Sequence, residues 1–202
     1  MEMVLAVLLG VVAADVSAPV VVNPGFEQVH EQRGFPEGWG LQPQGWHLCY
    51  LPNEQHLVRY ETKVDEETKA DEGQESKVLL ITVADDHPDK VVCYNAMQDV
   101  PGFVAGKTYR VSAKVRTQGL RNMPFICAQC LDSSKAKFVG FAGTPKRALE
   151  ADIQEWERIE TTVLVPEGTA TFRLRVGVAS EGNAGGTAMI DDIEVIEVTQ
   201  SQ

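Results

Sequence analysis

Cys127-Ala128-Gln129-Cys130 is a C-x-x-C, a spacing used for zinc and for dithiol redox chemistry. One such motif is half of a zinc ribbon, and a redox dithiol sits where a helix begins after a strand. Here the motif falls inside Phe125–Leu131, a run that reads as a strand. Residues three apart on a strand point to opposite faces, about 10 Å apart. A disulfide needs Cα atoms closer than about 7 Å. Cys127 and Cys130 are therefore expected to stay unbridged and buried as small apolar groups. Cys49 with Cys93 is the expected bridge if the protein is exported. His30, His47, His56 and His87 are scattered over loop-like sequence. His47-Leu48-Cys49 with His56 matches no standard zinc ligand set. There is no G-x-S-x-G elbow, no P-loop and no H-E-x-x-H. A glycosidase needs two facing carboxylates, and among 29 acidic residues none is singled out. The expected chemistry is binding without catalysis.

The elements that must position such side chains are strands. Lys107–Arg116 alternates Tyr109, Val111, Ala113 and Val115 against Arg110, Ser112, Lys114 and Arg116. Thr171–Val178 alternates Phe172, Leu174, Val176 and Val178 against Thr171, Arg173, Arg175 and Gly177. That period of two marks a half-buried strand. Val20–Asn23, Val78–Ala84, Val91–Val100, Ile159–Val165 and Ile190–Val198 read the same way. Pro101-Gly102, Pro166-Glu167-Gly168 and Gly182–Gly186 supply turns. Lys146–Trp156 reads as a loop with one helical turn. Short strands with Gly and Pro turns predict an all-β sandwich or jelly roll of two antiparallel sheets. The 202 residues fit one such domain.

Charge narrows the partners. Eighteen basic against 29 acidic residues leave a net charge of −11. Nucleic-acid affinity comes largely from Lys and Arg on phosphates, so nucleic acid is not an expected partner. Glu61–Lys77 concentrates acidic residues and reads as a solvated loop. Met3–Val12 is an uncharged, mostly apolar run of ten, too short to span a bilayer. It has the length of a signal-peptide apolar region, with small residues at Val12-Ala13-Ala14. Residues 1–14 are thus expected to be a secretory signal, with a second cleavage site after Ala18. The Met-Glu-Met start lacks the usual Lys or Arg. The expected product is secreted or periplasmic, spans no membrane and is a monomer, with one domain over 19–198.

An ordered set of short motifs goes further. Asn23-Pro24-Gly25-Phe26-Glu27 and Pro36-Glu37-Gly38-Trp39 come first. Gln98-Asp99-Val100, Gly106-Lys107-Thr108-Tyr109-Arg110-Val111-Ser112 and Trp156-Glu157-Arg158-Ile159 follow. Val165-Pro166 and Met189-Ile190-Asp191-Asp192-Ile193 complete the series. In this order the chain resembles the carbohydrate-binding modules of the family 4, 9, 16 and 22 group, across residues 22 to 197. Those modules share the galactose-binding-like jelly roll. The resemblance implies a non-catalytic domain that docks a polysaccharide or oligosaccharide in a concave groove. The alternative is a protein-interaction or structural domain of the same fold; a small polysaccharide hydrolase or lyase is a third reading.

The resemblance also implies a structural calcium held by Glu27 and Asp191, with Asp192 as an alternate ligand. Ca²⁺ takes several oxygen ligands, carboxylates among them. The implied groove sets out planar polar and aromatic side chains. Candidates are Tyr94 and Gln98, which share one face of their strand while Asn95 takes the other. Arg110, Gln129 and Arg175 are further candidates, with Trp46 and Tyr50 of the GWHLCY segment as the stacking platform. Trp39 and Trp156 are assigned to the core. An aromatic share of 7% is thin for a crystalline surface and suits a single glycan chain.

Overall fold

In the computed structural model, residues 18–30, 35–36, 47–49, 56–65, 76–88 and 93–198 are described. The candidate signal segment 1–14, Trp39, Trp46 and Tyr50 lie outside the described residues.

Twelve strands follow one another, and no helix occurs among the described residues. They are β1 (Val29–His30), β2 (Phe35–Pro36), β3 (His47–Cys49), β4 (Val58–Val64), β5 (Lys77–Val83) and β6 (Cys93–Asp99). Then come β7 (Thr108–Gln118), β8 (Phe125–Leu131), β9 (Phe138–Gly143), β10 (Glu157–Leu164), β11 (Thr171–Ala179) and β12 (Thr187–Glu197). β1 and β2 form a small ribbon. The other ten make two five-stranded sheets. The first runs β10-β7-β12-β5-β4 and the second β3-β6-β11-β8-β9. Every pairing is antiparallel. This is the two-sheet sandwich that the strand pattern predicts.

Alternation explains the sandwich. Tyr109, Val111, Ala113 and Val115 of β7 face Phe172, Leu174, Val176 and Val178 of β11 across a continuous core. Each Val, Leu or Phe among them, fully buried, contributes about 1.5–3 kcal/mol. Phe172 packs between Phe103, 5.8 Å away and stacked, and Tyr109, 6.0 Å away and tilted. The Tyr109 hydroxyl accepts a hydrogen bond from the Val104 backbone at 2.9 Å, so its polar tip is satisfied inside the core.

Four local expectations are corrected. Val20–Asn23 is not a strand. Its backbone is satisfied elsewhere, by Pro101 O from Val20 N and by the Gln98 side chain at Val22. Glu61–Val64 belongs to β4 and is not solvated loop, because Val58 and Tyr60 bury one face of that edge strand. β9 has no counterpart in the sequence reading. Its two glycines and the irregular register opposite Cys130 and Leu131 interrupt the alternation. Residues 146–156 contain no helical turn. Their backbone groups bond outward, as in Met123 N to Arg147 O and Leu149 N to Arg121 O, each 2.8 Å.

Candidate functional site

The outer face of the second sheet is built in rows by the strand register. Asp99, Arg173, Gln129 and Phe141 stand side by side across β6, β11, β8 and β9. The next row is Met97, Arg175, Cys127 and Gly143. The third is Asn95, Gly177 and Phe125. The period of two fixes this set, because the same strands send their other residues into the core.

A cleft of about 290 Å³ opens on this face, lined by Arg175, Gln129, Phe141, Phe125, Cys127 and Cys93 among others. Gly143 lets the Phe141 ring lie inward. A Cβ there would sit 3.2 Å from Phe141 Cζ and 3.1 Å from Cys127 Cβ. Phe141 is still 64% exposed, an apolar ring presented at the cleft. Arg175 donates Nε to Asn95 Oδ1 at 2.8 Å, which fixes the guanidinium over the sheet. Gln129 is 6% exposed and its amide makes no hydrogen bond among the described residues. Arg173, in the row of Gln129 and Phe141, differs from Arg175: it is joined to Asp99, so its charge is already matched.

The candidate residues divide sharply. Gln129 and Arg175 are brought together in the cleft. Tyr94 and Gln98 are not. Both are 0% exposed and face inward. The Tyr94 hydroxyl pairs with His87 Nε2 at 2.8 Å. The Gln98 amide accepts from Val22 N and donates to Val22 O. They share one face, as read, but it is the core face, and satisfied hydrogen bonds are what allow it. Asn95 and Met97 occupy the outer face instead. Arg110 lies on β7, in the other sheet, 3.9 Å from Glu160. Trp156 is half-buried at the edge of the first sheet under the Arg116 guanidinium, 4.6 Å above the ring. Phe141 and Phe125 were missed because β9 was missed and because Phe125 is a strand terminus.

Cys93, Cys127 and Cys130 are free, so the expected Cys49–Cys93 bridge is not formed. Burial pushes the Cys127 thiol up to about 11, far from a reactive thiolate.

The candidate cation site lies where chain start and end meet. Asn23 clamps a tight loop, donating to Gln28 O and accepting from Gln28 N. Ile193 N bonds Pro24 O at 3.0 Å, which pins β12 to that loop. Glu27 and Asp191 are thereby brought together. A Cβ on Gly25 would lie 3.3 Å from Asp191 Oδ1 and 4.0 Å from Glu27 Oε1. Asp191 is 8% exposed. Burial first, then the nearby Asp192 and Glu27 charges, push its carboxyl up to about 7. Asp192 turns its own carboxylate to Lys114 Nζ, 2.7 Å away. Among the described residues no three His, Cys, Asp or Glu side chains cluster as metal ligands. A buried anion beside a second anion fits a hard cation, provided backbone carbonyls or water complete its shell.

No family model matches the sequence, and no curated protein does. Solved structures do match in fold. A provisionally assigned sugar-binding protein from Bacteroides thetaiotaomicron VPI-5482 is 8% identical, with a TM-score of 0.60 over 89% of this chain and 100% of that one. The CBM22-1 xylan-binding domain of Paenibacillus barcinonensis Xyn10C is 11% identical, with a TM-score of 0.52 over 88% and 93%. The enzymatically active domain of Bacteriophage CBA120 tailspike protein 4 is 13% identical, with a TM-score of 0.53 over 78% of this chain. This chain spans only 20% of that tailspike chain. The fold is thus the β-sandwich jelly roll of carbohydrate-binding modules, in agreement with the motif order. No helix among the described residues is long and apolar enough to cross a membrane.

Proposed function

We propose that the chain is an exported, monomeric, non-catalytic carbohydrate-binding domain that seats a glycan in the cleft on its second sheet. One observation carries the reading: Phe141, Gln129 and Arg175 converge around one opening. Aromatic rings bind the apolar C–H faces of sugars, and planar polar groups bind their hydroxyls. A concave site with few well-placed polar groups is what a small ligand needs. A calcium ion between Glu27 and Asp191 would tie the loop at 23–28 to β12 and hold the sandwich closed, away from the cleft. It would supply charge neutralisation and no reaction.

Calorimetry against a panel of soluble oligosaccharides tests the reading. Binding is expected, with a loss of about tenfold or more in Phe141→Ala. Binding that survives this substitution unchanged refutes the cleft as the site. Phe138, 57% exposed on β9 and outside the cleft, favours a second reading, a protein-interaction domain of the same fold. A purified partner lost on Phe138→Ala, with no glycan bound, would establish that reading instead.

A further inference from the structure

The cleft carries a charge that a neutral sugar would leave unmatched. Among the described residues no Asp or Glu lines it, although the chain holds 29 acidic residues against 18 basic. Cys127 is neutral at pH 7, since burial holds its thiol protonated. Arg175 is thus the one Lys, Arg, Asp or Glu among the described lining residues. Other cations of the chain show the contrast. Arg173 is held by Asp99, Arg158 by Glu194, Lys107 by Glu197 and Arg147 by Glu157. Arg175 has no ion pair among the described residues, and it donates only Nε, to Asn95. The two terminal nitrogens of its fork meet no acceptor among the described residues.

Beside it stands a second unmatched group. Gln129 lines the same cleft, is more than nine-tenths buried and has no hydrogen-bond partner among the described residues. Its amide atoms are not among the buried unpartnered ones, so they reach the open cleft and stand ready for a ligand hydroxyl or carboxylate. A half-buried guanidinium without a counter-ion is likewise poised for an anion.

We infer, on the footing that this cleft is a glycan site, that its ligand is an acidic glycan carrying a hexuronic-acid unit. The carboxylate takes the free end of the Arg175 fork, a hydroxyl takes the Gln129 amide, and the sugar ring lies against Phe141. The fork presents two coplanar N–H groups, which match the two oxygens of a carboxylate. The ligand's single negative charge balances the cleft's single positive one. Net charge of −11 does not oppose this, because a local patch governs a contact at hydrogen-bond range.

The test uses calorimetry on the whole chain at pH 7 and physiological salt. The probes are galacturonate, glucuronate and mannuronate oligosaccharides, each beside its carboxyl-reduced neutral form, and a sulfated neutral chain. At least one uronate should bind, and its reduced form should bind about 10- to 100-fold more weakly. That range corresponds to one charge-assisted hydrogen-bonded pair. Arg175→Gln should erase the difference between the acid and its reduced form, and Arg175→Lys should restore part of it. Equal binding of acid and reduced forms overturns the inference, as does a sulfated chain that binds better than every uronate. Neutral glycans that bind while uronates do not overturn the inference and leave the glycan reading standing. No binding to any probe overturns both. The acid-versus-reduced comparison uses the natural protein, so it decides the matter even if Arg175→Gln unfolds.

Discussion

Arg173 and Asp99 face each other across the β6–β11 register and are joined twice. Arg173 Nε donates to Asp99 Oδ1 at 2.6 Å and Nη2 to Oδ2 at 3.1 Å. Two residues along the same strand, Arg175 is likewise half-buried and meets no carboxylate among the described residues. One strand therefore carries a structural arginine and a receptive one.

The structural pair predicts a stability effect with a pH window. Burial raises the Asp99 carboxyl, but bonds to Arg173 and Lys135 outweigh this and hold it below its ordinary value. A carboxyl with a depressed folded pKa stabilises the fold above its unfolded pKa, near 4, and loses that effect as pH falls through the folded value. Asp99→Asn should cost about 1–2 kcal/mol at pH 7, the scale of a partly buried, two-pronged pair. The deficit should shrink as pH falls below about 4 toward the depressed folded value. Urea denaturation at pH 7 and pH 3 measures it, and an equal deficit at both values would rule out the ion pair as its source.

Tyr94 supplies a cleaner separation of core from site. Its hydroxyl bonds His87 Nε2 at 2.8 Å inside the protein, and His87 Nδ1 is 2.6 Å from Pro88 O. Tyr94→Phe leaves the ring packed and strands the imidazole nitrogen. The expected loss is about 1–2 kcal/mol of stability, with glycan affinity unchanged. A drop in affinity without a drop in melting temperature would return Tyr94 to the binding surface.

Tyr94 also marks how far sequence reading reaches. Period two put Tyr94, Ala96 and Gln98 on one face, and that grouping is right. Which face is core depends on what lies across the sandwich, and a polar tip at Tyr94 or Gln98 argued for solvent. The buried partners that reverse this, His87 and the Val22 backbone, come from segments 7 and 76 residues away. The outward face of Arg175 was legible because β11 sets it against Phe172, Leu174, Val176 and Val178, whereas Gln129 stood out only as the planar polar side chain in the apolar run of β8. Arg110 alternates just as cleanly, but strand period does not say which sheet a strand joins. Phe141 was illegible because its strand contains glycines and a bulge. The Glu27–Asp191 meeting was implied by the motif order, since nothing local joins residues at opposite ends of the chain.

That meeting predicts a linked dependence on calcium and pH. Without a cation, Asp191 has a raised folded pKa, about 7. A carboxyl of this kind gives stability that is complete below its unfolded pKa, near 4, and lost as pH rises through the folded value. In chelator the protein should therefore lose stability between about pH 4 and pH 7. Calcium binds the deprotonated pair, so its stabilisation should grow over the same interval. At 100 times its dissociation constant it should add about 2.7 kcal/mol at pH 8. Asp191→Asn should flatten both trends. A melting temperature at pH 8 that ignores calcium would remove the ion from the proposed function.

Two glycines on the second sheet should separate stability from binding. A Cβ at Gly177 would lie 2.6 Å from Asn95 Cα. Backbone cannot swing aside as a side chain can, so Gly177→Ala must push β6 away from β11 at the middle of the sheet. The expected cost is about 3 kcal/mol, at the upper end for overpacking, and Asn95 would lose its hold on Arg175. A Cβ at Gly143 would instead meet the Phe141 ring at 3.2 Å and the Cys127 side chain at 3.1 Å. Phe141 lies on an edge strand and is largely exposed, so it can rotate outward at small cost. Gly143→Ala should hence cost less than about 1 kcal/mol, on the scale of a substitution that a surface side chain absorbs. It should nevertheless weaken glycan binding severalfold, because the ring leaves the cleft. Thermal melts and calorimetry on both variants read the two quantities separately. If Gly143→Ala binds as well as the natural chain, the inward ring is not the stacking surface, and the geometry of the cleft must be drawn around Phe125.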